Sequence, residues 1–96
     1  MTELQVVYDA FLGKILEDEW DNWDLEDIEA DWKVLLMAAI PNFKFPRVSL
    51  DIVDDCFEED LNNEEIQILA TYMKCEWLNR TIMTWENVKP LYEERD

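Results

Sequence analysis

The sequence predicts an all-α fold: a small antiparallel helical bundle of three main helices plus a short C-terminal helix, with an extended loop or small hairpin around residues 43–53. Three observations predict it. Apolar residues recur at spacings of three and four along three stretches, which is the period of one helix face. One glycine and three prolines leave the tight turns of a β-sandwich or barrel without their usual residues. A chain of 96 residues, 49% apolar with five tryptophans, is enough for one modest core, so residues 1–96 are expected to form a single domain.

The first helix opens on Thr2, with Gln5 three residues later in a capping-box pattern. Leu4, Val7, Tyr8, Phe11, Leu12, Ile15 and Leu16 then share a face. Gly13 lies inside that run at a cost of about 1 kcal/mol against alanine. Either a close contact requires it or the helix tolerates the weakening. The connector EDEWDNW (17–23) carries Trp20 and Trp23 outside any periodic pattern. Asp24 is placed to cap the second helix, and Glu26 and Asp27 suit the positive end of its dipole. Leu25, Ile28, Trp32, Leu35, Leu36 and Ala39 form its stripe until Pro41 stops it.

In PNFKFPRVSLDIVDD (41–55) the period changes. Phe43 and Phe45, then Val48, Leu50 and Ile52, alternate with polar neighbours, which suggests extended chain or a short hairpin. Pro46 argues against a central strand and favours an edge strand, a projecting loop or a segment that pairs with a partner chain. CFEEDL (56–61) is read as a short turn of helix at most. Asn62 and Glu65 form a capping box for the third helix, whose Ile66, Leu69, Ala70, Met73, Trp77 and Arg80 follow one face. Ile68, Tyr72 and Cys75 occupy a second face, so this helix is expected to lie between neighbours, either the other two helices or another subunit. It is expected to end near Met83. Thr84 then caps a short helix over WENVKPLY (85–92), in which Pro90 breaks the ladder or sits near the end.

The formal net charge of −16 is spread along the chain, with eleven acids against four bases before Ser49 and thirteen against four after it. Such a field repels phosphate backbones and anionic lipid headgroups within a Debye length of about 8 Å. Direct nucleic-acid or membrane binding is therefore disfavoured, although an acidic surface also serves solubility alone. No stretch approaches the roughly 18 uninterrupted apolar residues of a membrane span. The N-terminal MTELQVVYDAF lacks the basic-then-apolar order of an export signal. Cys56 and Cys75 have neither C-x-x-C spacing nor a histidine to complete a zinc set, and read as reduced intracellular thiols.

The side chains of catalysis are scarce. With no histidine and Ser49 as the only serine, a Ser–His or Cys–His nucleophile is impossible. Adjacent acids such as Asp54 with Asp55, or Glu58 with Glu59, read as solvated pairs. One glycine cannot build a phosphate-cradling loop. DDCFEEDLNNEE (54–65) is rich in oxygen ligands but lacks the sixth-position glycine of an EF-hand. It reads as a capping and solvating segment, with loose divalent binding as the alternative. No catalytic residue, metal site or cofactor is predicted, and the chain is not expected to be an enzyme.

Recognition is what remains. The candidate partner-binding residues are Trp20, Trp23, Phe43, Lys44, Phe45, Arg47, Tyr72 and Trp85. The connector and helix-end aromatics among them are either folded under as satellite core or offered to a partner. Lys44 and Arg47 flank the Phe43–Pro46 segment. On so acidic a molecule, that basic, aromatic loop could dock on the acidic face of an identical neighbour and generate a head-to-tail ring or filament.

An acidic, Trp-containing lead-in to an amphipathic helix, then AAIPNFKFPRVSLD (38–51), an acidic linker, NNEEIQILATYMKCEWLNR (62–80) and TWENVKPLY (84–92), resembles the small head–tail connector, or adaptor, proteins of long-tailed bacteriophages. The likeness is to those of phages infecting Gram-positive hosts and covers about residues 20–96. It implies a helical connector-like domain with a projecting loop, assembled into a homo-oligomeric ring, commonly a dodecamer, beneath the portal protein. The implied partners are further copies of the chain, the portal protein and a tail-side neck protein, in the virion neck after assembly in the host cytoplasm. DNA would pass through an acidic channel without specific binding, because a wall that repels phosphates offers no sticking points. Phe43–Arg47 and the second face of the third helix would make the subunit or portal contacts. Proteins of this type tend to continue into further helix past the equivalent of Asp96, so a short or trimmed version is expected. The alternative function is an acidic DNA mimic that inhibits a host nuclease or DNA-binding protein, with carboxylates in two phosphate-like rows.

Overall fold

Apolar stripes at helical spacing leave each helix one face to bury, and the chain meets that demand by converging three helices on one core. The computed structural model describes residues 1–15 and 20–93, with side chains at 1–15, 20–84 and 86. Helix α1 (Leu4–Leu12) buries Leu4, Val7, Tyr8 and Phe11. Helix α2 (Leu25–Ala39), extended by a 3-10 turn at Ile40–Asn42, buries Trp32, Leu35, Leu36 and Ala39. Helix α3 (Asn63–Glu93) contributes Leu69, Ala70, Met73 and Trp77. Ile15, Trp20, Phe57 and Leu61, from outside the helices, complete the cluster.

A small sheet corrects the all-α expectation, and the architecture is a helical α+β mix. Strands β1 (Thr2–Glu3), β2 (Ile52–Val53) and β3 (Cys56–Phe57) pair antiparallel in the order β1-β3-β2, with both Thr2 and Ile52 opposite Phe57. The hairpin therefore lies at 52–57, overlapping the predicted 43–53 stretch only at Ile52–Val53, and CFEEDL supplies a central strand where a helical turn was expected. Asp54 and Asp55 make the two-residue turn with φ of 53° and 60°. Both are left-handed, the twist that suits a tight hairpin, at a cost of roughly 1–2 kcal/mol each. Asp55 helps to hold the turn in place: its carbonyl accepts the Leu4 N–H and its carboxylate pairs with Lys33 at 3.0 Å.

The sheet also explains why Thr2 does not cap α1. Its hydroxyl donates to the Glu59 carbonyl and accepts the Leu61 N–H at 2.9 Å, tying the N-terminus to the segment before α3. Glu3 is the N-cap residue of α1 without a side-chain cap bond, and Asp24 stands likewise before α2. Helix α1 ends at Leu12, earlier than predicted. Gly13 closes it with an ordinary right-handed φ of −68°. A Cβ there would meet only backbone oxygens at 3.5 and 3.6 Å, so no close contact demands the glycine. Leu16 lies outside the described residues.

Helix α3 starts as its sequence requires. The Asn62 Oδ1 accepts the Glu65 N–H, and the Glu65 carboxylate accepts the Asn62 N–H, both at 2.8 Å. It does not stop near Met83. The Thr84 hydroxyl donates back to the Arg80 carbonyl, as Thr81 does to Trp77, so it continues the helix in place of capping a new one. The predicted C-terminal helix is the end of α3, and Pro90 lies near that end. At 31 residues α3 is about 46 Å long against about 22 Å for α2. Asp31 of α2 binds Arg80, and Asn42 just past α2 binds Glu76. Asp31 and Asn42 lie about 16 Å apart along their helix but Glu76 and Arg80 only about 6 Å apart. The two pairs follow opposite chain directions, so α2 and this part of α3 run antiparallel. Among the described residues, no helix is long and apolar enough to cross a membrane.

Candidate interaction surfaces

The eight residues singled out as partner-binding fall into different places. Trp20 is only 5% exposed. Its ring meets Phe11 and Trp32 edge-on at 6.2 and 6.0 Å, and its indole N–H donates to Asp31 at 2.8 Å. It is a core residue. Trp23, three positions on, is exposed. Phe43 packs half-buried against the core, whereas Phe45 is 93% exposed. Lys44 between them is exposed. Arg47 points back, its guanidinium donating to the Glu65 carboxylate at 3.0 Å and the Asp60 carbonyl at 3.2 Å. It pins the loop to the start of α3. Tyr72 is half-buried and packs against the edge of the core. The Trp85 side chain lies outside the described residues.

Two charge sites hold these pieces. Burial opposes ionisation of Asp31, but hydrogen bonds from Arg80 and Trp20 outweigh it and hold the carboxyl below its usual range. Glu65 is likewise held low, first by the Asn62 N–H and, against some burial, by Arg47. Each anion is therefore a fixed anchor at neutral pH.

The surface that the loop pattern did not reveal lies on the helices. Opposite the buried stripe of α2 are Ala30, Val34, Met37, Ala38 and Pro41, all exposed, with Val34 at 63%. Opposite the buried stripe of α3 are Ile68, Cys75, Leu78 and Ile82, with Ile82 at 53% exposed. Glu64, Gln67, Ile68, Thr71 and Tyr72 form a shallow groove at one end of this row. Because three helices converge on one core, the outer faces of α2 and α3 are two separate surfaces of the molecule. Of the expected second face of α3, Ile68 and Cys75 lie on this row while Tyr72 packs against the core; the continuation through Leu78 and Ile82, and the α2 face, were not singled out. The available signal was charge. Residues 34–43 include no charged side chain, and residues 66–84 hold one acid, Glu76, against the bases Lys74 and Arg80.

A cleft between α1, α2 and the hairpin turn is lined by Tyr8, Glu29, Lys33 and Asp55. Burial, then the charges of Asp55 and Glu29, push the Tyr8 hydroxyl up to about 12, so it stays protonated and is no acid–base group at neutral pH. Among the described residues, no group of three or more Cys, Asp or Glu is arranged to hold a metal ion. Compared with known proteins, the chain matches no family model, no curated protein and no solved structure.

Proposed function

We propose that this protein is a self-assembling structural subunit that builds the ring between portal and tail in the neck of a tailed bacteriophage. One observation supports self-assembly above all: an intensely acidic molecule keeps two separate apolar helix surfaces, within residues 34–43 and 66–84, that hold a single acid between them. Exposed apolar patches on a soluble domain mark sites where another surface belongs. Two different patches that meet between copies form a head-to-tail contact, and such a contact closes into a ring when its rotation allows. The place in a phage neck comes from the resemblance of residues 20–96 to connector proteins.

The chemistry suits such a role. Twenty-three of the 24 acids lie outside residues 66–84, so a ring joined through the helix faces would keep a strongly negative surface around its lumen. Duplex DNA would slide past such a wall without adhering. Phe45, projecting from a loop pinned by Arg47, is available to a portal or tail-side partner. Negative-stain imaging of the purified protein, with and without portal rings, tests the proposal. Annular particles are expected; a monodisperse monomer at high concentration under both conditions would overturn it.

A further inference from the structure

We infer that the cleft between α1, α2 and the hairpin turn receives a lysine or arginine side chain from a basic segment of a partner protein. The inference is independent of the assembly reading above. Two observations meet in this cleft. The first is Tyr8, which is only 5% exposed, with its ring against Trp32 at 5.5 Å. It nevertheless lines the cleft, and among the described residues its hydroxyl has no hydrogen-bond partner. The charges of Asp55 and Glu29, which line the same cleft, reach that hydroxyl. A polar group set so deep without a partner in its own chain calls for one from outside, and a neutral phenol oxygen accepts an N–H.

The second observation is the charge around it. Of the residues that line the cleft, Glu3, Glu29, Asp54 and Asp55 are acids and Lys33 is the one base, already paired with Asp55. Among the described residues, no base pairs with Glu3, Glu29 or Asp54. Three carboxylates thus share the cleft with a phenol oxygen and have no cation of their own. The field of Asp55 and Glu29 that helps to keep the proton on Tyr8 also stabilises a cation brought beside it.

Shape and charge together select the occupant. The cleft measures about 450 Å³, and Leu4 and Ala30 in its walls offer apolar surface to a methylene stem while the charged head reaches the carboxylates. A second copy would bring its own net charge of −16 with every lysine it offered. A basic segment of another protein is drawn in by the same field that repels such a copy.

NMR titration of the isotope-labelled protein with blocked tripeptides whose central residue is lysine, arginine or norleucine tests this. The lysine or arginine peptide should give saturable shifts centred on Tyr8, Glu29 and Asp55, and the uncharged norleucine peptide none. Tyr8→Phe keeps the ring and removes only the hydroxyl, so circular dichroism should show a native fold while affinity falls about tenfold, the loss of one hydrogen bond to a charged group. Glu29→Gln, an exposed change that leaves the core alone, should weaken binding more than Glu64→Gln, which removes the same charge outside the cleft. Shifts spread evenly over the acidic surface, equal binding of the norleucine peptide, or equal losses in Glu29→Gln and Glu64→Gln would overturn the proposal. So would a change in the sedimentation of the protein alone on Tyr8→Phe, which would assign the cleft to a second copy.

Discussion

Residues 20–24 and 43–51 both join helical elements and both carry large aromatics, yet one turns its ring inward and the other holds its ring out. Trp20 enters the core because its N–H has an acceptor waiting: Asp31 lies on the helix that follows, already fixed by Arg80, and Phe11 and Trp32 line the ring. Phe45 has no such pocket. Its loop is held at one end by half-buried Phe43 and at the other by Arg47 on Glu65, and Phe45 projects between these two anchors. Whether a connector aromatic is core or surface thus depends on what the neighbouring helix offers it.

The comparison can be broken at several points. The largest effect is expected for Trp20→Ala, at about 3–5 kcal/mol of stability by urea denaturation followed by circular dichroism. A loss under 1 kcal/mol would return Trp20 to the surface. Next, Asp31→Asn should cost roughly 1.5–3 kcal/mol by weakening a charged acceptor of the indole and the guanidinium. Because the folded-state carboxyl titrates below its unfolded value of 3.8, this contribution is present at neutral pH and lost as pH falls through the folded-state value. The stability gap between wild type and Asp31→Asn should therefore close below about pH 4. A gap constant down to pH 2 would show that the charge plays no part.

Glu65→Ala removes half of the capping box and the anchor of Arg47, and is expected to cost about 1 kcal/mol. In the same variant the tryptic cleavage rate after Arg47 should rise, since the loop loses one of its two holds; an unchanged rate would place the anchoring elsewhere. The smallest stability effect belongs to Phe45→Ala, within about 0.5 kcal/mol of wild type. A larger destabilisation would mean that its ring is covered in the folded monomer and that the two connectors do not differ.

Local rules made some of this legible in the sequence. The Asn62–Glu65 box, the Pro41 stop and the central part of each inner stripe depend on residues a few positions apart, and these are found where spacing put them. The sheet was not legible. Its strands are two residues long and bring position 2 to position 57, a pairing that no periodicity announces, and its turn uses Asp-Asp where Asn-Gly is the usual signal. Threonine misled twice for one reason: a hydroxyl that can cap a helix can also bond back along one or across to a distant strand, as Thr84 and Thr2 do. Leu25 was assigned to the α2 stripe but lies exposed at the helix start, beyond the reach of the core. Of the candidate surface, composition showed the aromatic loop, while the α2 face stayed hidden because Val34, Met37 and Ala38 fell outside the buried stripe and were given no role.

Salt separates the two forces available to so acidic a molecule. Sedimentation velocity of the wild-type protein, from low salt to about 0.5 M sodium chloride, measures it directly. Contacts made by uncharged faces predict oligomers that persist or grow as screening relieves the mutual repulsion of −16 subunits. Particles that dissociate as salt rises, or a monomer at every salt concentration, would contradict assembly through those faces.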